Sequence, residues 1–154
     1  MRLNLPPFAH KVQKKDDKVV ILDIVRKKYV ALTPEEWVRQ HLVHYFINQL
    51  YYPKSLISVE SGLKFNQLEK RTDIVVYDRN ASPLLVAECK SFKVTLSDDV
   101  FQQSAIYNSS LRAPYLLISN GLQHYCCRID YQKASYQFLD AVPTYENMQP
   151  SRKG

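Results

Sequence analysis

A run of four apolar residues, 84–87, constrains the fold of this chain more than any other segment. In a β-strand successive side chains point to opposite faces of the sheet, so this run is expected to bury both of its faces. A strand that is covered on both sides is a central strand with other layers packed above and below it. Because the chain also contains helical patterns, the run predicts an α/β sandwich.

The other segments predict the elements around this strand. A helix is expected over residues 33–50, because Thr33 is a good N-cap and Glu36 completes a capping box. A second helix is expected over residues 97–111, with Ser97 as its cap. The order strand, helix, three strands, helix, strands predicts one domain with a central mixed sheet flanked by helices. Strands are expected over 19–25, 56–59, 72–77, 84–89, 115–119, 122–129 and 135–139.

Two consecutive strands form a hairpin whose register brings charged residues together. Its turn is closed if Asp78 pairs with Pro83. In that register Asp73 lies opposite Glu88 at the open end of the hairpin. Lys90 is two residues beyond Glu88 and therefore points to the same face. Two carboxylates and one ammonium group converge there, and because adjacent carboxylates repel each other, the site calls for a cation.

The oxygen donors of this cluster suit Mg²⁺, with waters and a substrate phosphate completing its octahedral shell, and Mn²⁺ is the expected substitute. The backbone carbonyl of Cys89, between Glu88 and Lys90, is a further candidate ligand. The alternative is a set of solvated charges at the strand ends, in which Lys90 pairs with one of the acids. An acid followed by Glu-x-Lys at matched register on the next strand favours the functional interpretation.

The excess of positive over negative charge lies almost wholly in the N-terminal segment. Residues 1–31 carry eight Lys and Arg against three Asp and Glu, whereas residues 32–154 carry thirteen against twelve. The formal charge of +6 is therefore +5 in the first segment and +1 in the second. Residues 1–18, in which Pro6 and Pro7 break any helix, are expected to form a basic arm that is either solvated or in contact with phosphates. Charge alone favours the solvated arm.

Composition excludes several classes of function. With three Gly residues the chain is expected to lack a glycine-rich phosphate loop, and so an ATP-driven motor. No run approaches the roughly 18 apolar residues of a membrane span. The N-terminus lacks the apolar stretch of a signal peptide. Three cysteines give no disulfide framework, so a cytoplasmic location is expected.

Asp73 and the sequence Glu88-Cys89-Lys90, placed across one hairpin, resemble the motif of the PD-(D/E)XK nuclease superfamily. Thr72 stands where that motif has its proline. The resemblance implies a restriction-endonuclease-like core with the element order αβββαβ. It also implies Mg²⁺-dependent hydrolysis of phosphodiester bonds, in which Asp73 and Glu88 bind the metal and Lys90 orients or activates the attacking water.

Further motifs narrow this resemblance. Gln103 and Tyr107 are similar to the Gln-x-x-x-Tyr motif that follows the core in one branch of these nucleases. Residues 35–39 resemble the Glu-x-x-(Val/Thr)-Arg helix start of the N-terminal nuclease domain of type I restriction subunits (HsdR), and residues 117–121 resemble a strand and turn of that family. The resemblance covers residues 30–130. It implies a stand-alone HsdR N-terminal-like protein of a restriction-modification system, whose partner is nucleic acid, in the first place DNA.

The helices supply the remaining candidate residues. Gln103 and Tyr107 are four residues apart and share one helix face, where they could hold metal waters or a phosphate; the residues alone leave a packing role for Tyr107 equally open. Two acids compete for the catalytic position on the first helix. Glu35 lies on the apolar arc and has the family spacing to Arg39, whereas the cap already explains Glu36. Glu35 is therefore the predicted catalytic acid.

Three functions stay open at this point. The first is a metal-dependent nuclease, expected to be a DNA endonuclease. The second is a nucleic-acid-binding module that keeps the site but cuts within a larger complex or not at all. The third is a protein-interaction domain with a residual acidic cluster. The full set of site residues favours the nuclease, which would cut two strands as a homodimer or by successive nicks. The predicted division is a basic arm over 1–18, one nuclease-like domain over 19–146 and a C-terminal tail over 147–154.

Overall fold

The structure is a computed structural model that describes residues 2–65 and 68–148, without the side chains of 61–65 and 68–72. After β3 the elements follow the order αβββαβ that the sequence predicts. Of the predicted tail, residues 149–154 lie outside the described residues. The elements are β1 (Val12–Lys15), β2 (Lys18–Asp23), β3 (Lys28–Ala31), α1 (Pro34–Asn48), β4 (Ile57–Phe65), β5 (Leu68–Tyr77), β6 (Pro83–Cys89), α2 (Asp98–Asn108), β7 (Tyr115–Ser119), β8 (His124–Asp130), β9 (Ser135–Leu139) and α3 (Tyr145–Met148).

Six strands form a mixed sheet in the order β4-β5-β6-β7-β8-β9. β6 and β7 are parallel, with α2 in the crossover between them, and the other neighbours are antiparallel. The apolar run at 84–87 is buried throughout. One face of the sheet packs against α1 and the other against α2. The mixed sheet between helices, predicted from the order of the elements, is confirmed. Within the described residues no helix is long and apolar enough to cross a membrane.

The hairpin of β5 and β6 has the predicted register at its open end. Ile74 pairs with Ala87, so Asp73 and Glu88 are the next positions toward that end. Both strands continue from a fully apolar interior into these two acids, because residues 74–76 and 84–87 are buried. The ends of these two strands therefore place two carboxylates at the edge of the core.

The turn of this hairpin differs from the predicted one. Pro83 pairs with Tyr77 rather than with Asp78, and the register shifts after Val76. The Asp78 carboxylate accepts hydrogen bonds from two backbone N–H groups inside the turn, at 2.8 and 2.9 Å, and these bonds hold Asp78 in the turn rather than in the ladder. The irregularity is confined to the turn, so the pairs nearer the open end keep the predicted register.

The C-terminal part of the predicted basic arm, residues 12–18, forms β1, a turn and the first residue of β2. Strands β1, β2 and β3 make a separate three-stranded antiparallel sheet. Its first turn contains Asp16 and Asp17, whose φ angles of 50° and 64° are the left-handed pair that a two-residue hairpin turn needs. The segment before β1 is packed as well. Leu3 is buried against Gly121, where a Cβ atom would lie 2.8 Å from the leucine side chain, and Phe8 stacks on His44 of α1.

Candidate active site

The charged ends of β5 and β6 open into a pocket of about 450 Å³ whose wall includes residues of α1 and α2. The structure brings every residue predicted for the site to this one pocket. Its lining includes Glu35, Asp73, Glu88, Cys89, Lys90, Gln103 and Tyr107, together with Val94, Val100 and Ser104.

Asp73 is held by two donors. Its Oδ2 accepts the backbone N–H of Cys89 at 2.8 Å, and its Oδ1 accepts Nη2 of Arg39 at 2.7 Å. The side chain is 15% exposed. Burial raises the pKa of the Asp73 carboxyl above its ordinary value, the Arg39 guanidinium opposes this shift, and the nearby Glu88 charge adds to it. The carboxylate is thus fixed in direction, and lone pairs remain on its oxygens.

Glu88 is held from the side of α2. The Ser104 hydroxyl donates to its Oε2, and Nδ2 of Asn108 donates to its Oε1 at 3.3 Å. Ser104 and Asn108 are four residues apart, so they face the strand together. The same helix contributes Gln103 and Tyr107 to the pocket wall. The side chain of Glu88 is 13% exposed, so this acid too lies at the edge of the core rather than in solvent.

Lys90 and Glu35 stand at the mouth of the pocket. Their side chains are 38% and 48% exposed, and Nζ of Lys90 lies 3.2 Å from Oε2 of Glu88. Burial raises the pKa of Glu35 above its ordinary value, the Asp73 charge adds to the rise, and Arg39 and Lys90 oppose it. Crowded carboxylates with this direction of shift are the electrostatic condition that favours a bound cation.

Arg39 carries the positive charge beneath the pocket. Its side chain is 4% exposed and lies 2.7 Å from Asp73, 2.8 Å from Glu36, 3.0 Å from Glu35 and 3.3 Å from Glu60. Burial acts to lower the pKa of the guanidinium, but the hydrogen bond and charge of Asp73 and the other acids raise it. One buried cation therefore balances several carboxylates of the site.

A second arginine shares these acids from the N-terminal sheet. Arg26, in the turn between β2 and β3, lies 2.7 Å from Glu36, 2.9 Å from Glu60 and 2.7 Å from Asp23. Asp23 is completely buried; burial acts to raise its pKa, but hydrogen bonds from Arg26 hold the pKa below its ordinary value. Ion pairs thus run from Arg26 through Glu36 and Glu60 to Arg39, and connect the N-terminal sheet to the pocket.

The two acids compared at the start of α1 have different positions. Glu35 lines the pocket, whereas Glu36 is buried in the ion-pair network. Thr33 accepts the backbone N–H of Glu36 at 3.0 Å, which confirms the predicted cap. The other hydrogen bond of the predicted capping box would join the Thr33 backbone N–H to the Glu36 carboxylate. This part of the prediction is wrong, because the Glu36 carboxylate contacts Arg26 and Arg39 instead.

Sequence reasoning missed five residues that hold the site: Asp23, Arg26, Glu60, Ser104 and Asn108. The ion pairs of Arg26 join residues up to 34 positions apart, and such pairs leave no periodic pattern. Ser104 and Asn108 carry a weaker signal, since they are polar residues at helical spacing on a buried face and need partners there.

Asp73 and Glu88 are candidate ligands for Mg²⁺ or Mn²⁺, the cations expected from the sequence. Among the described residues no group of three or more His, Cys, Asp or Glu side chains is placed to hold a metal ion. Mg²⁺ is usually held by one or two carboxylates, with waters and phosphate oxygens as its other ligands. Asp73 and Glu88 would supply these carboxylates if a cation bound here. Cys89 has its side chain in the core and still lines the pocket, so its backbone is the part that borders the pocket.

We expect Glu35→Gln to stabilise the metal-free protein slightly at neutral pH. Because the folded state raises the pKa of Glu35, its ionised form disfavours folding at any pH above that pKa. Removing the charge should raise the free energy of unfolding by up to about 0.5 kcal/mol, the range of surface substitutions. Below the unfolded-state pKa of roughly 4.3 the wild-type carboxyl is neutral too, so the gain should vanish. Urea unfolding at neutral pH and in acid measures both values, with the exposed Glu146→Gln as control. An equal gain at both pH values would contradict the electrostatic cause.

Comparison with known proteins identifies the family. Residues 34–143 match the family described as type I restriction enzyme R protein N terminus (HSDR_N), and this match covers more than half of the chain. The chain belongs to this family. The HsdR resemblance predicted from the sequence motifs is therefore confirmed, and Asp73, Glu88 and Lys90 all lie inside the matched region of this HsdR N-terminal protein.

A solved structure adds to this identification. The chain is similar to a fragment described as an HsdR subunit of a type I restriction enzyme from Vibrio vulnificus YJ016, with a TM-score of 0.55 and 19% identity. The similarity covers 76% of this chain and 24% of that one, so the chain spans about a quarter of the fragment. At this identity the likeness shows the fold alone. No curated protein matches the chain. Neither the family match nor the similar solved structure supports the predicted homodimer.

Proposed function

We propose that this HsdR N-terminal family protein is a metal-dependent nuclease, a DNA endonuclease of a restriction system, with a site of the PD-(D/E)XK type. The observation that carries the proposal is the convergence of Asp73, Glu88 and Lys90 in one pocket. Solvated strand-end charges would not need dedicated donors, yet Arg39 and the Cys89 N–H hold one acid and α2 holds the other. This fixed geometry supports a site prepared for chemistry.

Each residue has a role in this proposal. Asp73, Glu88 and the Cys89 carbonyl would hold Mg²⁺, which supplies positive charge to the phosphate and lowers the pKa of the attacking water. Lys90, beside Glu88 at the pocket mouth, orients that water and stabilises the negative charge that develops on the phosphoryl oxygens. Glu35, from the start of α1, adds a third carboxylate to the same pocket.

Gln103 and Tyr107 supply polar groups from α2 to the same pocket. An amide and a phenol at its wall can donate hydrogen bonds to phosphate oxygens or to ordered waters. Their proposed role is therefore to position the phosphate over the two carboxylates.

One observation favours a second candidate function. The chain spans 24% of the HsdR fragment that it resembles. A site that acts within a larger assembly would bind nucleic acid alone and cut when other components are present. The second proposal is therefore a nucleic-acid-binding module with a retained nuclease site, active inside a type I restriction complex.

A cleavage panel tests both functions. The chain is incubated with supercoiled, linear duplex and single-stranded DNA in the presence of Mg²⁺, Mn²⁺ or EDTA. We expect nicking or cleavage with either metal and none with EDTA. The Lys90→Ala variant should cut about 10²–10³-fold more slowly, the usual effect of removing one group that stabilises developing charge. Salt-dependent DNA binding without cleavage would favour the second function, and cleavage that Lys90→Ala retains at the full rate would contradict the proposed site.

A further inference from the structure

The two faces of β2 in the N-terminal sheet have different surroundings. Ile21 and Asp23 of β2 are completely buried, whereas Lys18 is exposed. Alternation along the strand places Lys18 on the opposite face from these two residues. Lys15 pairs with Lys18 across the first hairpin and shares its face. The sheet therefore packs inward through Ile21 and Asp23, and we call the face that carries Lys15 and Lys18 its open surface.

This open surface is strongly basic. The Lys11 carbonyl accepts the backbone N–H of Leu22 in β2. Lys11 therefore lies across from Leu22, on the open side of the sheet. Nε2 of Gln13 donates to the Tyr29 hydroxyl at 2.9 Å across the same side. The outward strand positions of this sheet carry no carboxylate. We call this surface the basic face; its polar residues are Lys11, Gln13, Lys15, Lys18 and Tyr29, all exposed.

We propose that the basic face binds the phosphate backbone of double-stranded DNA. Lys15 and Lys18 lie directly opposite each other, so their positive charges are close together on the basic face. A duplex presents one negative charge about every 1.7 Å, so a row of lysines with hydrogen-bonding neighbours is complementary to it. The proposal rests on the proposed function for its choice of DNA.

The N-terminal sheet is connected to the candidate active site. The sheet precedes the matched family region, which begins at residue 34. Arg26 connects it to the pocket through its ion pairs with Glu36 and Glu60, which in turn contact Arg39. DNA bound to the basic face would therefore contact a sheet that ion pairs connect to the proposed cleavage site.

The test is a salt titration of DNA binding in EDTA, so that no cleavage occurs. A duplex labelled with a fluorophore is bound by the wild type and by a triple variant, Lys11→Gln, Lys15→Gln and Lys18→Gln. We expect the slope of log K against log salt to fall in magnitude by about 2 to 3, since each lost phosphate contact removes about 0.9. The matched control removes three charges near the turn end of the main sheet: Lys54→Gln, Arg79→Gln and Lys133→Gln.

The control triple should keep the wild-type slope. Equal losses in both triples would overturn the proposal, because net charge would then be the cause. An unchanged slope in the first triple, or no binding by the wild type at low salt, would also overturn it. If instead the proposed nuclease function is wrong, DNA binding would still depend on the basic face, but neither Mg²⁺ nor Mn²⁺ would support cleavage.

A second variant tests the proposal independently, in case the triple variant does not fold. Asp16→Asn with Asp17→Gly keeps a residue pair suited to the left-handed turn and removes two negative charges beside the basic face. We expect this variant to bind the duplex several-fold more tightly at low salt than the wild type. Unchanged or weaker binding by a folded double variant would overturn the proposal.

Discussion

Replacing Asp73 with Asn should abolish divalent-cation binding and reduce cleavage by about 10³-fold, the effect of losing several kcal/mol of metal-assisted stabilisation. The substitution removes the negative charge but keeps the size and one oxygen acceptor. The fold should tolerate it, because burial already disfavours the ionised form of Asp73 and Arg39 keeps three other carboxylate partners. Calorimetry with Mn²⁺ and plasmid nicking measure the two losses separately.

Lys90→Ala is the matched comparison for this experiment. Lys90 is not a metal ligand in the proposal, so its removal should leave Mn²⁺ binding in place while cleavage falls. Two variants of one site would then separate cation binding from the chemical step. If Asp73→Asn bound Mn²⁺ as the wild type does, the cation site would have to lie elsewhere, whatever happened to cleavage.

The open end of the hairpin could be predicted from the sequence because its register depends on local pairing. Ile74 pairs with Ala87 as the predicted register requires, although the turn residues that suggested that register pair differently. The apolar interior of both strands fixes which side chains face the core, since a slip by one residue would expose all of them. Asp73 and Glu88 keep their predicted positions for this reason.

The N-terminal sheet could not be predicted in the same way. Its first turn uses Asp16 and Asp17, a weaker turn signal than Asn-Gly, and the charged run over residues 14–18 around that turn also suits a solvated arm. The ion pairs that fix it, from Arg26 to Glu36 and Glu60, join residues far apart in the chain. Such contacts follow from tertiary packing and leave no local motif.

Arg39→Met should destabilise the protein by about 3–5 kcal/mol, the range for breaking a buried ion pair by removing one partner. Methionine fills much of the same space, so the loss is mainly electrostatic. Glu36 and Asp73 would stay at the edge of the core, with Arg26 paired to one of them alone. Urea unfolding at neutral pH measures the loss, and the exposed Lys54→Met is the control that should change stability by less than about 0.5 kcal/mol.

The pH dependence of this deficit identifies its cause. Without Arg39 the pKa of the Asp73 carboxyl rises further in the folded state, so its ionised form disfavours folding above that pKa. As pH falls and this carboxyl takes up a proton, this penalty disappears and the difference between the variant and the wild type should shrink. A deficit of the same size at neutral pH and near pH 4 would instead indicate lost packing. In the expected case Arg39 lets Asp73 be both ionised and buried, which is what a cation-binding carboxylate in this pocket requires.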